Sequence, residues 1–126
     1  MIVQIQSNKA PGAVGPYSQA ITANGFAYLS GMLPLDPLNG QMIGTTAAEQ
    51  TEQIMQNIKN LLSDLELELN DVVKATIFLQ SMDSFQSVNE IYGSYFTEHK
   101  PARSCIEVAA LPKAALVEIE VIAALK

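Results

Sequence analysis

Apolar and polar residues alternate over residues 2–6 (IVQIQ), the period of a short β-strand. The stretch APGAVGPYSQA, residues 10–20, holds two prolines and two glycines and reads as a loop. Residues 26–33 (FAYLSGML) read as a second strand, with Gly31 marking a bulge or a close approach of another group to the backbone. A turn follows at DPLNG, where Asn39-Gly40 suits positive φ. From Thr46 to Leu65 the period changes to that of a helix: Ile54, Ile58, Leu61 and Leu65 share one face, and Thr46 with Glu49 fits a capping box. Residues 72–80 (VVKATIFLQ) are β-branched and strand-like. Asp83 with Gln86 suits the cap of a second helix over 84–97, whose stripe is Phe85, Val88, Ile91, Tyr92, Tyr95 and Phe96. Two more strands are expected near 103–109 and 116–125. The coarse order is β, β, α, β, α, β, β, with no repeat or linker, so residues 1–126 are expected to form one α+β domain.

Two helices cover one face of a sheet. In LVEIEVIAA, residues 116–124, one side of the strand carries Val117, Ile119, Val121 and Ala123. The other carries Leu116, Glu118, Glu120, Ile122 and Ala124, too apolar for open solvent and too charged for a dry core. This pattern predicts a homo-oligomer with carboxylates near the subunit boundary.

Composition adds limits. Of 126 residues 48% are apolar and only 16% charged, so a core is affordable in size and part of the surface is expected to be covered by a partner subunit. Seven Lys and Arg stand against 13 Asp and Glu, for a net charge of −6, and the cations are scattered. That argues against nucleic acid as a partner, since phosphate binding needs cations gathered on one face. The lone cysteine excludes an internal disulfide and suits the reducing cytosol. MIVQIQSNKAPG lacks the pattern of a secretory leader, and no apolar run is long enough to span a bilayer, so a cytoplasmic protein is expected. Lone Cys105 and lone His99 do not make a zinc site by themselves, and no GxGxxG or GxxxxGK[ST] is present to cradle a nucleotide.

Candidate chemistry centres on KPARSCIEV, residues 100–108. Arg103 offers a rigid fork of donors for a carboxylate; the plainer reading is an ion pair with Glu107 or a neighbouring strand. Cys105 shares its parity, either as a small half-buried residue or through its backbone N–H as an anion donor. Glu118, on the mixed face of the last strand, is either a surface charge or a partly buried carboxylate able to hold and orient water, with Glu120 a weaker candidate. Tyr17 either walls a pocket from its loop or plugs a core edge. Asn89 lies along the second helix's stripe and needs a partner, such as a loop backbone.

Taken together, AVGPYSQA (13–20), LSGMLPLDP (29–37), VNEIY (88–92), PARSCIEVAALPK (101–113) and VEIEVIA (117–123) resemble the Rid family of reactive intermediate deaminases, also called the YjgF family, nearly end to end. The resemblance implies a chorismate-mutase-like fold, a mixed sheet with two helices on one face, assembled as a homotrimer with a barrel-like core and clefts between subunits. It implies hydrolysis of 2-imino acids such as 2-iminobutanoate and 2-iminopropanoate, or their enamines, to 2-keto acids and ammonia, without cofactor or metal. Those compounds are released by pyridoxal-phosphate dehydratases, a functional link rather than a bound partner. By the same resemblance Arg103 holds the substrate carboxylate with help from the backbone of Cys105, and Glu118 positions the attacking water. Tyr17, Ser30, Gly31 and Asn89 line the cleft, Tyr17 from the neighbouring subunit. Three departures stand out: the segment before Pro101 is shortened to EHK, Met32 replaces a common glutamine, and the helix end near Leu69 lacks the usual glycine. The first two bear on the pocket wall and substrate preference, the third on a helix cap. Two other readings share these residues: a 2-keto acid or carboxylate-binding regulatory module, and an RNA-cleaving or translation-inhibiting protein.

Overall fold

A computed structural model describes residues 1–126. Six strands form one sheet: β1 (Val3–Ile5), β2 (Ala20–Ala23), β3 (Phe26–Leu29), β4 (Val72–Leu79), β5 (Ala102–Glu107) and β6 (Val117–Ala124). Their spatial order is β1-β2-β3-β6-β4-β5. Only β4 and β5 run parallel, joined through helix α2 (Phe85–Tyr95). The longer helix α1 (Ala47–Asp64) lies between β3 and β4 in sequence.

Three strands precede α1, not the two expected. The missing one, β2, forms a hairpin with β3 through Asn24 and Gly25, both at positive φ (52° and 85°). That is the backbone that two-residue hairpin turns require, and the Asn-Gly pair was its sequence signal. With only four residues, AITA, the strand is too short for alternation to stand out. The anticipated strand over 26–33 ends at Leu29, and beyond it only Met32 bridges to Ile119.

Helix α1 begins as its sequence suggests. Thr46 accepts from the Glu49 N–H at 3.1 Å, and the Glu49 carboxylate accepts from the Thr46 N–H at 3.1 Å. Ile54, Met55, Ile58, Leu61 and Leu62 are all buried and pack in one cluster with Val117, Ile119 and Val121 of β6 and Val72, Ala75, Ile77 and Leu79 of β4. The cap of α2 differs from expectation. Asp83 lies inside a 3₁₀ turn, Met82–Ser84, and its N–H donates to Ser81 Oγ; no side chain caps α2 itself. Ser81, two residues ahead of Asp83, caps that turn, and the aspartate held inside it does not cap α2.

At the end of α1 the Glu66 N–H donates to the Ser63 carbonyl and the Leu67 N–H to the Leu62 carbonyl, both at 2.9 Å. Leu67 and Leu62 are both buried, which completes a Schellman cap. The left-handed position is Glu66, at φ 59°, so the glycine missing from the sequence is missing here rather than near Leu69. A side chain in that conformation costs about 1 kcal/mol. Glu66→Gly is therefore expected to raise the urea midpoint at unchanged slope; a lower midpoint would mean that the Glu66 side chain does something the cap does not explain.

The helices cover one sheet face. On the other, in-register rows carry Tyr28 beside Ile122 and Lys74, Glu120 beside Thr76 and Ser104, and Glu118 beside Phe78 and Ile106. Phe26, Tyr28 and Ile106 are 37%, 43% and 47% exposed there. This is the mixed apolar and acidic face anticipated from the alternation in β6.

Candidate functional site

Arg103 is the second residue of edge strand β5, in register with Ala75 of β4, which is fully buried beneath the helices. Strand parity therefore turns Arg103 toward the helix side. Its guanidinium donates to Asn89 Oδ1 on α2 at 2.6 Å. It lies 5.2 Å from the Tyr92 ring centre and 5.7 Å from that of Phe85. Two rings and an amide thus fix a cation whose other donors stay free, and no carboxylate pairs with it. The ion pair with Glu107 does not form, because Glu107 accepts from the Met82 N–H instead. Asn89 is tied to Arg103 rather than to a loop backbone. Phe85 and Tyr92, read from the sequence as core stripe, act as the walls of this cation; their helical spacing alone does not reveal it.

Cys105 follows on the same face, half-buried against the core. Burial pushes its thiol pKa up, against the smaller opposing pull of Arg103, so the group is held as a thiol. His99 engages the Val72 carbonyl, so it is not a base for Cys105. Nowhere do three or more His, Cys, Asp or Glu side chains come together as a metal cluster.

A second group gathers around Gly31. Met32 exchanges backbone hydrogen bonds with Ile119, which lays residues 30–32 beside β6. A Cβ on Gly31 would stand 2.1 Å from Glu118 Oε2, so the close approach inferred from the sequence is to a carboxylate. Ser30 anchors the neighbouring loop: its Oγ donates to the Ser18 carbonyl at 2.6 Å and its N–H to the Gln19 carbonyl at 3.0 Å. Tyr17, half exposed, caps that loop and accepts from the Val14 N–H at 3.4 Å. Tyr17, Ser30 and Gly31 line one small cavity. The loop is shaped by Gln19, buried and bonded to the backbone of Ser7, Ala10 and Pro11. Sequence reading missed Gln19; its one signal is a lone amide closing a Gly/Pro loop.

Glu118 has its pKa raised, first by burial and then by the like charge of Glu120. The shift makes its carboxylate a better proton acceptor than a fully solvated glutamate.

The two groups are separate within one chain. Arg103 aligns with Ala75 and Ala75 with Val121, while Glu118 is three residues further along β6. Two strand spacings and three residues place the backbones about 14 Å apart, with the side chains on opposite sheet faces. One chain thus carries two separate groups, Arg103 with Asn89 and Cys105 on one sheet face, and Glu118 with Gly31, Ser30 and Tyr17 around the other.

Known proteins share this framework. Residues 7–125 match the family model described as Endoribonuclease L-PSP. The chain is 45% identical to a RutC family protein of Pyrococcus horikoshii over 94% of both chains. It is 46% identical to Reactive Intermediate Deaminase A, chloroplastic, of Arabidopsis thaliana, over 96% of this chain and 65% of that one. Among solved structures, RidA from an Antarctic Psychrobacter superposes with a TM-score of 0.93 at 40% identity, covering 98% of this chain and 99% of the other. E. coli TdcF with bound serine superposes at 0.92 and 34% identity, again over 98% and 99%. The sheet of six strands with its two helices is the YjgF-like fold, and the chain belongs to the RutC/Rid (YjgF/L-PSP) family.

Proposed function

We propose that the protein hydrolyses small 2-imino acids, such as 2-iminobutanoate and 2-iminopropanoate, to 2-keto acids and ammonia. The observation that carries this reading is Arg103: a guanidinium fixed by Asn89 and two rings, with donors to spare and no carboxylate partner. Its fork matches the carboxylate of an amino-acid-sized ligand. The similarity to a deaminase and to a protein with bound serine supports a ligand of that class.

An iminium carbon is already electrophilic, so the reaction needs placement and charge stabilisation more than a nucleophile. Arg103 holds the carboxylate. Glu118 takes a proton from water as its oxygen bonds to the imine carbon, giving a carbinolamine. That proton returns to the nitrogen, and ammonia leaves as the C=O bond forms; Glu118 takes the hydroxyl proton and passes it to the departing ammonia. Water and iminium are consumed and keto acid and ammonium released, with no net change in Glu118. The chemistry needs both halves of the site in one cleft, so the proposed active form is a homotrimer whose clefts take Arg103 from one subunit and Glu118 and Tyr17 from the next. The exposed mixed face of the sheet supports assembly. The single cysteine suits cytosolic residence, and no helix is long and apolar enough to cross a membrane.

The test is a coupled assay. A pyridoxal-phosphate dehydratase releases 2-iminobutanoate from threonine, and keto-acid formation is followed with and without this protein. Acceleration is expected; identical traces alongside measurable 2-oxobutanoate binding would instead leave a carboxylate-binding module. Arg103→Lys keeps the charge but loses the fork, and is expected to lower kcat/KM about ten- to a hundredfold in a folded protein. Near-normal activity in that variant would remove Arg103 from the carboxylate role.

A further inference from the structure

A cavity of about 270 Å³ opens next to Arg103, between the last turns of α2 and the segment leading into β5. It is lined by Asn89, Tyr92, Gly93, Phe96, Lys100 and Arg103, with Pro101 beside them. Two of the seven cations of an acidic chain meet here, and no Asp or Glu lines the space. Asn89 Oδ1 is occupied by Arg103, which leaves the amide N–H₂ as its free function. The Tyr92 hydroxyl is buried and has no hydrogen-bond partner. Gly93 places no side chain in the space, and a Cβ there would meet nothing within 4 Å. The cavity is therefore roomy, rich in donors and lacking in anions.

Lys100 has a plain structural role as well. Its ammonium donates to the carbonyls of Phe96 and Thr97 at 3.4 and 3.3 Å, where a cation suits a helix C-terminus. Both contacts are long, and an ammonium has three donors, so capacity remains for an anion. Its position follows from the short EHK segment before Pro101, which brings Lys100 within three residues of Arg103.

We propose that Lys100 and this cavity form a side-chain subsite for a second acidic group, so that the site favours dicarboxylate 2-imino and 2-keto acids over monocarboxylate ones. The proposal rests on Arg103 holding the first carboxylate, as in the function proposed above. The ligand's side chain then enters the cavity, and its distal carboxylate meets Lys100, with the Asn89 amide as a further donor.

Calorimetry with 2-oxoglutarate and 2-oxobutanoate tests this without any turnover. At low salt the wild-type protein is expected to bind 2-oxoglutarate about fivefold or more tightly, the value of one partly exposed ion pair, and the ratio should shrink as salt is added. Lys100→Met should bring the ratio near one, Lys100→Arg should keep it, and Lys100→Glu should invert it. Thermal melts of each variant separate a loosened α2 terminus from a lost ligand contact. Equal wild-type affinities, a ratio unchanged in Lys100→Met, or no binding of either acid would overturn the subsite. A dicarboxylate preference that needs Lys100 in a protein without imine turnover would uphold the subsite while sinking the deaminase reading. Turnover of monocarboxylate imines with no such preference would do the reverse.

Discussion

Replacing Glu118 with glutamine is expected to lower kcat by about 10²-fold or more while binding of 2-oxobutanoate changes little. Glutamine preserves the shape that sits over Gly31 but is a far weaker base. The pH dependence provides an independent check. Burial and Glu120 both raise the Glu118 pKa. If the ionised form is the working one, kcat/KM falls as pH drops through a limb lying above the ordinary glutamate range. Glu120→Gln removes the like charge, favours ionisation of Glu118, and should move that limb to lower pH. In Glu118→Gln the limb should vanish from whatever rate remains. A variant at full activity with the limb intact would transfer the role to another group.

The second large effect is a recovery. Arg103→Ala and Glu118→Gln chains are each expected to be nearly inactive alone. Mixed after reversible dissociation and reassembly, they should regain activity, because some clefts inherit Arg103 from one parent and Glu118 from the other. For random mixing of equal amounts, roughly a quarter of the clefts would carry both. The separation of the two residues by about 14 Å, on opposite sheet faces, is what makes this outcome informative: a site complete within one chain would recover nothing. Light scattering on the same samples tests the trimer directly, and a stable active monomer would remove the shared cleft.

Much of the architecture was legible because local signals agreed with one another. The capping box of Thr46 and Glu49, the apolar face of α1 and the two-sided alternation of β6 each report on residues adjacent in sequence. What failed to show was short or uncapped. Strand β2 has too few residues to display a period, and Ser81 caps the 3₁₀ turn ahead of α2, which leaves α2 itself without a side-chain cap. For the site, the motifs named Arg103, Glu118, Gly31, Ser30, Tyr17 and Asn89, and the structure sorts them into two groups. Periodicity cannot reveal that sorting, since Arg103 and Glu118 lie on different strands and the face each takes depends on sheet register. Nor does a helical stripe distinguish Tyr92 as core from Tyr92 as a wall for a cation, because both demand the same spacing.

The alternation in β6 ties foldability to placement of the Glu118 carboxylate. Val117, Ile119 and Val121 are buried, and Glu118 occupies the gap between two of them. A slip of one residue would drive Glu118 and Glu120 into the apolar layer and turn the valines and isoleucine outward. Chains with the carboxylate misplaced in this way would therefore not accumulate as folded, inactive protein. A library with insertions or deletions in the 108–116 connection, sorted only for soluble expression, should come out already enriched for a correctly aimed Glu118.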